Sequence, residues 1–338
     1  MKTLILSVAA SLLVTAAHAE GDLFIYTWGE YTPPDLVAKF EKEFGVTVHI
    51  DSYDSMETMI AKLKSGATGY DIIVPGDATV QVLIAEGMLE QIDVSSMPNY
   101  ANVDPRWRDV YWDPGRKYSA PWAWGSTAIA VDTAIVGQVD SLSVLFDPTD
   151  AVKGKINMLR DMNDVINMAE RYLGIARCTE NPDDLKKVLA LLQTQKAWVK
   201  SYDSETKEPL VSGEAVVSMS WNGYAMRARD ERPTLAYVYP KEGYTGWMDN
   251  LVVPKGAPDL ENAKAFVNFM MLPENAALVT NYARYSNGIT GSEAFVEPVL
   301  AAAPELNPPA GVPAPEFVPN CSPATVKLYD RIWTKLLN

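Results

Sequence analysis

Leu23-Phe-Ile-Tyr-Thr-Trp28, then Pro33-Pro34 with 35–44 behind it, then Gly45 and Val46-Thr-Val-His-Ile50, is the stretch that decides the fold. The first run is apolar and ends in an aromatic residue, as a buried strand does. Two prolines open a helix from Asp35 to Phe44, and Gly45 stops it. Val46 to Ile50 alternates as a second strand. Ser55 caps a helix from Met56 to Lys64 that ends at Gly66, Asp71 to Pro75 reads as a third strand, and Thr79 to Glu86 as a third helix. Strands that alternate with helices in this way lie parallel and are joined by right-handed crossovers, so the class is α/β.

The same grammar continues outward. Strands are expected at 127–131, 155–159, 215–221, 235–239 and 251–254, with helices through Tyr172, from Asp183 to Gln193 and from Leu260 to Met271. No repeat of fixed period is visible. Residues 303–319 are rich in Pro and Ala and should run irregularly, and Val326 to Leu337 reads as a terminal helix. At roughly 150 residues per domain, a chain of 338 residues suggests two domains.

The opening residues read as an export signal. Lys2 supplies a positive start, Leu4 to Ala17 is an apolar stretch too short to span a bilayer, and Ala17-His18-Ala19 has the small-x-small pattern of a cleavage site. Residues 1–19 are therefore expected to be removed, leaving a soluble periplasmic product whose only histidine is His49. The uncleaved chain already carries a charge of −14, with 48% apolar and 21% charged residues. That balance builds a real core and excludes a general nucleic-acid binder, which needs a basic face. Two His and two Cys leave little for a His- or Cys-rich metal site, and no cofactor is expected. Cys178 and Cys321, in a compartment that permits disulfides, allow a single intramolecular bridge or two free thiols.

In a sheet of this kind ligands bind beyond the carboxyl ends of the strands. Trp28, Glu30 and Tyr31 follow the first strand, and Gly76 and Asp77 the third. Asp161 and Asp164 follow Leu159, and Trp221 and Tyr224 follow Met219. Trp247 and Asp249 are placed in the turn before Leu251, and Tyr282 and Tyr285 after a late helix. The recurring chemistry is aromatic faces beside carboxylates. A ring face attracts a cation by roughly 0.5–2 kcal/mol, and a carboxylate offers an ammonium a charge-assisted hydrogen bond. A thin aliphatic polyamine suits both. Each piece also has a plainer reading: Trp28 and Trp221 as core, Asp161 and Asp164 as a helix cap with its first-turn acid, Glu30 as a solvated loop charge.

Tyr26-Thr-Trp-Gly-Glu-Tyr-Thr-Pro-Pro34, Tyr70-Asp-Ile-Ile-Val-Pro75, Pro121-Trp-Ala-Trp-Gly-Ser-Thr-Ala-Ile129, Ser220-Trp-Asn-Gly223, Tyr239-Pro-Lys-Glu-Gly243 and Trp247-Met-Asp-Asn250 together resemble the periplasmic polyamine-binding proteins of ABC transporters, of the spermidine/putrescine type and similar to extracellular solute-binding protein family 1. The resemblance covers nearly the whole chain after residue 19. It implies a two-lobed α/β periplasmic binding protein fold of type II, each lobe a mixed, mainly parallel sheet flanked by helices, with two interlobe crossovers. Lobe 1 would hold 20–127 plus 254–305, and lobe 2 would hold 128–253 plus 306–338. The ligand would lie between lobes that close by a hinge.

Carried over by motif, Trp28, Glu30 and Tyr31 match the first-lobe wall. Trp221, Trp247 and Asp249 match the aromatic box and its central carboxylate. Asp161 and Asp164 match an acidic pair, with Asp164 where a Glu is usual, and Tyr285 matches the late aromatic. The chain departs at Gly76-Asp77-Ala78, where the spermidine type carries a Ser and a Tyr, and at Tyr224, a position that is acidic in putrescine-selective members. The family's C-terminal amide has no secure counterpart. The implied function is a monomeric receptor, not an enzyme, that favours spermidine over putrescine and delivers it to an inner-membrane ABC permease complex. A secreted carboxylate-based hydrolase, or a ferric-ion receptor using Tyr282 and Tyr285, are the alternatives.

Overall fold

The computed structural model describes residues 21–66 and 69–338; the expected leader, 1–19, lies outside the described residues. Its strands are β1 (Gly21–Trp28), β2 (Val46–Tyr53), β3 (Ile72–Ile73), β4 (Ser119–Asp132), β5 (Ile156–Met158), β6 (Val199–Tyr202), β7 (Val217–Trp221), β8 (Leu235–Val238), β9 (Thr245–Val252) and β10 (Glu316–Phe317).

The order across the sheet is β2-β1-β3-β9-β4-β7-β5-β6. β2, β1 and β3 run parallel, as do β7, β5 and β6. Between these sets lies an antiparallel ribbon of the long strands β9 and β4. The first part of β4, Ser119–Thr127, pairs with β9, and its last part, Thr127–Asp132, pairs with β7 and β8. The two crossovers between lobes are therefore hydrogen-bonded to each other.

Two apolar cores flank the ribbon. One gathers Leu23, Ile25, Phe40, Ile72, Leu251 and Phe266; the other gathers Ile129, Ile156, Met158, Val165, Val217 and Ile332. Each such side chain contributes about 1.5–3 kcal/mol when fully buried. Trp221 packs against both cores.

Local signals end the elements where the sequence places them. Pro34 begins the first helix and Gly45, at φ 71°, stops it; the Ser55 side chain accepts from the Thr58 amide at the head of the next. Asp161 caps the helix Met162–Leu173, and Gly174, at φ 67°, ends it. The terminal helix Pro323–Leu337 packs on helices Met162–Leu173 and Pro182–Lys196. Cys178 and Cys321 are disulfide-bonded. Among the described residues no helix is long and apolar enough to cross a membrane.

Three expectations need correction. Trp247 and Asp249 lie inside β9, not in a turn before it. The strand is covered on both faces and carries Asp249 and Asn250 among its apolar residues, so neither alternation nor an apolar run announces it. The third strand pairs only at Ile72–Ile73. Tyr282 lies within the helix Pro273–Ala283, not after it.

Candidate functional site

Strand ends and strand faces build the site. β1 delivers Trp28 at its last position, and the chain then turns through Glu30, held at φ 49°. Tyr31 follows, buried, and its hydroxyl donates to Asp249 Oδ2 at 2.7 Å. Alternation along β9 puts Trp247 and Asp249 on one face. Gly76 bridges to Asp249 at the end of β3, which brings Asp77, the first residue of the next helix, beside it. Tyr285 fits between Tyr31, at 5.7 Å, and Trp247, at 5.1 Å, both edge-on.

The second lobe faces this wall. β7 ends at Trp221, whose ring lies 5.9 Å from Trp28 at 65°. The Trp221 indole N–H donates to Asp164 Oδ2 at 3.1 Å, and the Thr127 hydroxyl donates to the same oxygen. Asp161 accepts from the Asp164 amide, so the capping geometry is real and holds the pair together. Tyr224 packs 5.9 Å from Trp221 and donates to Glu205 Oε1 at 2.9 Å.

Two glycines let these rings close up. A Cβ on Gly223 would lie 2.5 Å from the Tyr285 ring, and one on Gly125 would lie 2.6 Å from Trp247. This is the physical reason for Gly in Ser220-Trp-Asn-Gly223 and in the Gly125 motif.

The electrostatics is one-sided. Burial pushes the Asp249 carboxyl up to about 7, helped by the charge of Asp77, while the Tyr31 hydrogen bond holds it down in part. The Trp28 indole N–H also favours the carboxylate, yet it falls outside hydrogen-bonding geometry and has no partner among the described residues; the same is true of the Trp247 N–H. Asp77 rises to about 6 through burial, against a hydrogen bond from Tyr111. Burial raises Asp164 and Asp161, and Asp161 raises Asp164 further. None of these four acids forms an ion pair among the described residues. Some buried acids elsewhere do, Glu305 with Arg229 and Asp132 with Arg232, while Asp71, Asp113 and Glu170 are held by hydrogen bonds alone.

Sequence reasoning missed two residues. Glu57 is solvent-accessible, but protein surrounds it and pushes its carboxyl up, as do the charges of Asp161 and Asp330 from the facing lobe. It sits in the first turn behind Ser55, where an acid reads as helix chemistry. Arg227 pairs with Glu30 across the lobes at 3.4 Å; on a helix with Arg229 beside it, it reads as a solvated charge.

The structure thus joins Trp28, Tyr31, Asp77, Asp161, Asp164, Trp221, Tyr224, Trp247, Asp249 and Tyr285 in one continuous set of contacts between the two cores, with Glu30 exposed beside it. Tyr282, by contrast, is exposed while Tyr285 is buried, so the two phenols do not converge. No cluster of three metal-ligating side chains occurs among the described residues. A cavity of about 200 Å³ beside Leu63, Tyr70, Met88 and Lys255 contains none of the predicted residues. This chemistry suits a thin molecule with several positive charges: rings supply faces and buried carboxylates supply counter-charge.

Comparison with known proteins agrees with this geometry. The family described as bacterial extracellular solute-binding protein matches residues 35–308. The spermidine/putrescine-binding periplasmic protein of Escherichia coli is 34% identical over 97% of this chain and 95% of its own. The putrescine-binding periplasmic protein SpuD of Pseudomonas aeruginosa is 31% identical over 99% and 97%. Among solved structures, the substrate-binding protein PotD of a spermidine/putrescine ABC transporter from Streptococcus pneumoniae superimposes with a TM-score of 0.79 at 25% identity, covering 94% of this chain and 99% of that one.

Proposed function

The chain belongs to the bacterial extracellular solute-binding proteins, and we propose that it is a periplasmic polyamine receptor that passes its ligand to an inner-membrane ABC permease complex. One observation carries the reading. Buried carboxyls that form no ion pair among the described residues stand between aromatic rings contributed by both lobes, with only the charge of Arg177 helping Asp164, whereas an unpaired buried charge is strongly unfavourable unless something neutralises it. A polyamine supplies that neutralisation. The relatives are binding proteins, which speaks for a receptor rather than a hydrolase.

In this reading, lobe 1 is 20–127 plus 254–305, and lobe 2 is 128–253 plus 306–338. Residues 1–19 direct export, and the receptor acts as a monomer without a cofactor. Trp28, Tyr31, Trp221, Trp247 and Tyr285 clamp the methylenes and ring-facing ammoniums. Asp249 takes the central ammonium, with Asp77 behind it, and Asp161 and Asp164 take the next.

Spermidine is favoured over putrescine. The acids continue from Asp249 past the Trp28–Trp221 contact to Asp164, Asp161 and Glu57, a row long enough in charge for three ammoniums, and Tyr224 stands where a further acid would sit. The relatives named for putrescine as well as spermidine make this order a matter for measurement. Titration calorimetry with putrescine, cadaverine, spermidine and spermine tests both parts. Saturable one-to-one binding, tightest for spermidine, is expected. No binding of any of the four removes the receptor assignment; putrescine equal to or tighter than spermidine removes the preference alone.

A further inference from the structure

A receptor for cations should not need a half-buried arginine between its lobes, yet Arg227 is there. Its side chain keeps 15% of its exposure and extends from the helix Asn222–Glu231 towards the opposite lobe. There its Nη1 lies 3.4 Å from Glu30 Oε2, while the guanidinium stacks 4.3 Å over the ring of Tyr224. Its Nε is buried with no partner among the described residues. Tyr224 leans on Trp221, and Trp221 on Trp28. Arg227 is thus one ring beyond the pair of indoles that joins the lobes, reached from Trp221 through Tyr224, whereas Asp164 is reached from Trp221 through its indole N–H. It occupies what a ligand ammonium would otherwise take at this end: an acid and an aromatic face, the same pairing the rest of the crevice offers.

We propose that Arg227 is an internal cation that ends the ligand's ammonium row on this side and so sets how many charges the receptor accepts. The inference rests on the polyamine reading above. Its physical content is competition. Glu30 and Tyr224 can satisfy one positive group, and the tethered Arg227 guanidinium holds that place at high effective concentration. A fourth ammonium approaching from the Trp28–Trp221 side meets a like charge on the face of Tyr224, whose hydroxyl is already bonded to Glu205. Arg227 is therefore a specificity-determining residue, and Glu30 serves as its partner across the cleft, contributing to closure more than to ligand capture.

The test is calorimetry with putrescine, spermidine and spermine on the parent protein, Arg227→Met, Arg227→Gln, Arg227→Lys and the double variant Arg227→Met/Glu30→Gln. Removing the guanidinium frees a ring face and a partly exposed acid, together worth roughly tenfold in affinity. Arg227→Met should therefore raise the spermine-to-spermidine affinity ratio by roughly that factor, Arg227→Lys, which keeps the charge but loses the planar stack, should move it much less, and the double variant should lose most of the gain. Arg227→Gln, neutral and polar, serves the same comparison if the methionine variant does not fold. A general loosening of the cleft would weaken all three ligands together and leave the ratio where it was. A ratio unchanged within about twofold in the neutral variants, or moved equally by Arg227→Lys, overturns the inference while leaving the receptor assignment intact. A parent protein that binds none of the three polyamines overturns the assignment itself.

Discussion

Replacing Asp249 by Asn should weaken the ligand and strengthen the empty protein at the same time. The carboxyl is 7% exposed, accepts one hydrogen bond, from Tyr31, and is pushed up to about 7 by burial and by the charge of Asp77. The sign follows from which state holds the proton. The folded value lies above the unfolded one, near 4, so the folded state binds more protons; this stabilisation is complete below about pH 4 and is lost as the pH rises to about 7. Three pKa units correspond to about 4 kcal/mol as an upper bound for keeping the group ionised in the empty protein at pH 8. Asparagine removes that cost and keeps the acceptor for Tyr31, but brings an amide N–H₂ with no acceptor of its own, so a net gain of about 1–3 kcal/mol is expected. In a protein of this size that is a rise in Tm of about 2–5 °C. Binding moves the other way. An ammonium that loses its buried counter-charge should lose about 3 kcal/mol, or about 150-fold in Kd. Thermal melts at pH 8 and pH 5 with and without spermidine, together with calorimetry, read both effects. The Tm gain should shrink at pH 5, where the native carboxyl is already protonated. An Asn variant that binds spermidine as tightly as its parent, or melts below it at pH 8 without ligand, refutes the reasoning.

Other outcomes follow from the same geometry. Polyamine affinity should fall at least tenfold between pH 8 and pH 5.5, because Asp249, Asp77, Asp164 and Asp161 all titrate high while the ligand stays fully protonated; calorimetry in buffers of different ionisation enthalpy should show proton release at pH 6.5, and a flat pH profile would count against the acidic crevice. Gly223→Ala should displace the Tyr285 ring and cost more than tenfold in affinity with a normal far-ultraviolet spectrum; unchanged affinity would show that the ring is not part of the clamp. The Cys178–Cys321 bridge joins residues 143 apart, for which chain entropy sets about 5 kcal/mol as a ceiling; Cys178→Ser/Cys321→Ser should lower urea stability by about 2–4 kcal/mol, and identical unfolding of the parent with and without reductant would contradict the bridge.

How far the site could be read in advance varied from residue to residue. Trp28 and Trp221 end strands that announce themselves by apolar runs, so the rule that ligands gather beyond strand ends reached them directly. Asp161 and Asp164 support two readings at once: Asp161 caps a helix, and Asp164 is buried against Trp221. Trp247 and Asp249 stand out by chemistry and motif but their place in a strand does not, because a strand covered on both faces that carries polar residues has no periodic signature. Glu57 and Arg227 went unseen: each looks like ordinary helix-surface charge until the opposite lobe is set against it.

What the amino-acid order determined alone was therefore local and chemical: alternating strands and helices, their caps and stops, and an unusual density of rings and acids at the joints. These rest on interactions within a few residues, which a linear reading contains. The tertiary structure alone decided that β4 and β9 pair as one ribbon, that Trp28 meets Trp221 across it, that Cys178 reaches Cys321, and that Arg227 pairs with Glu30 while the deeper carboxyls form no ion pair among the described residues. Those facts depend on distances between residues far apart in the chain, and charge neutralisation is a property of neighbours in space rather than in order.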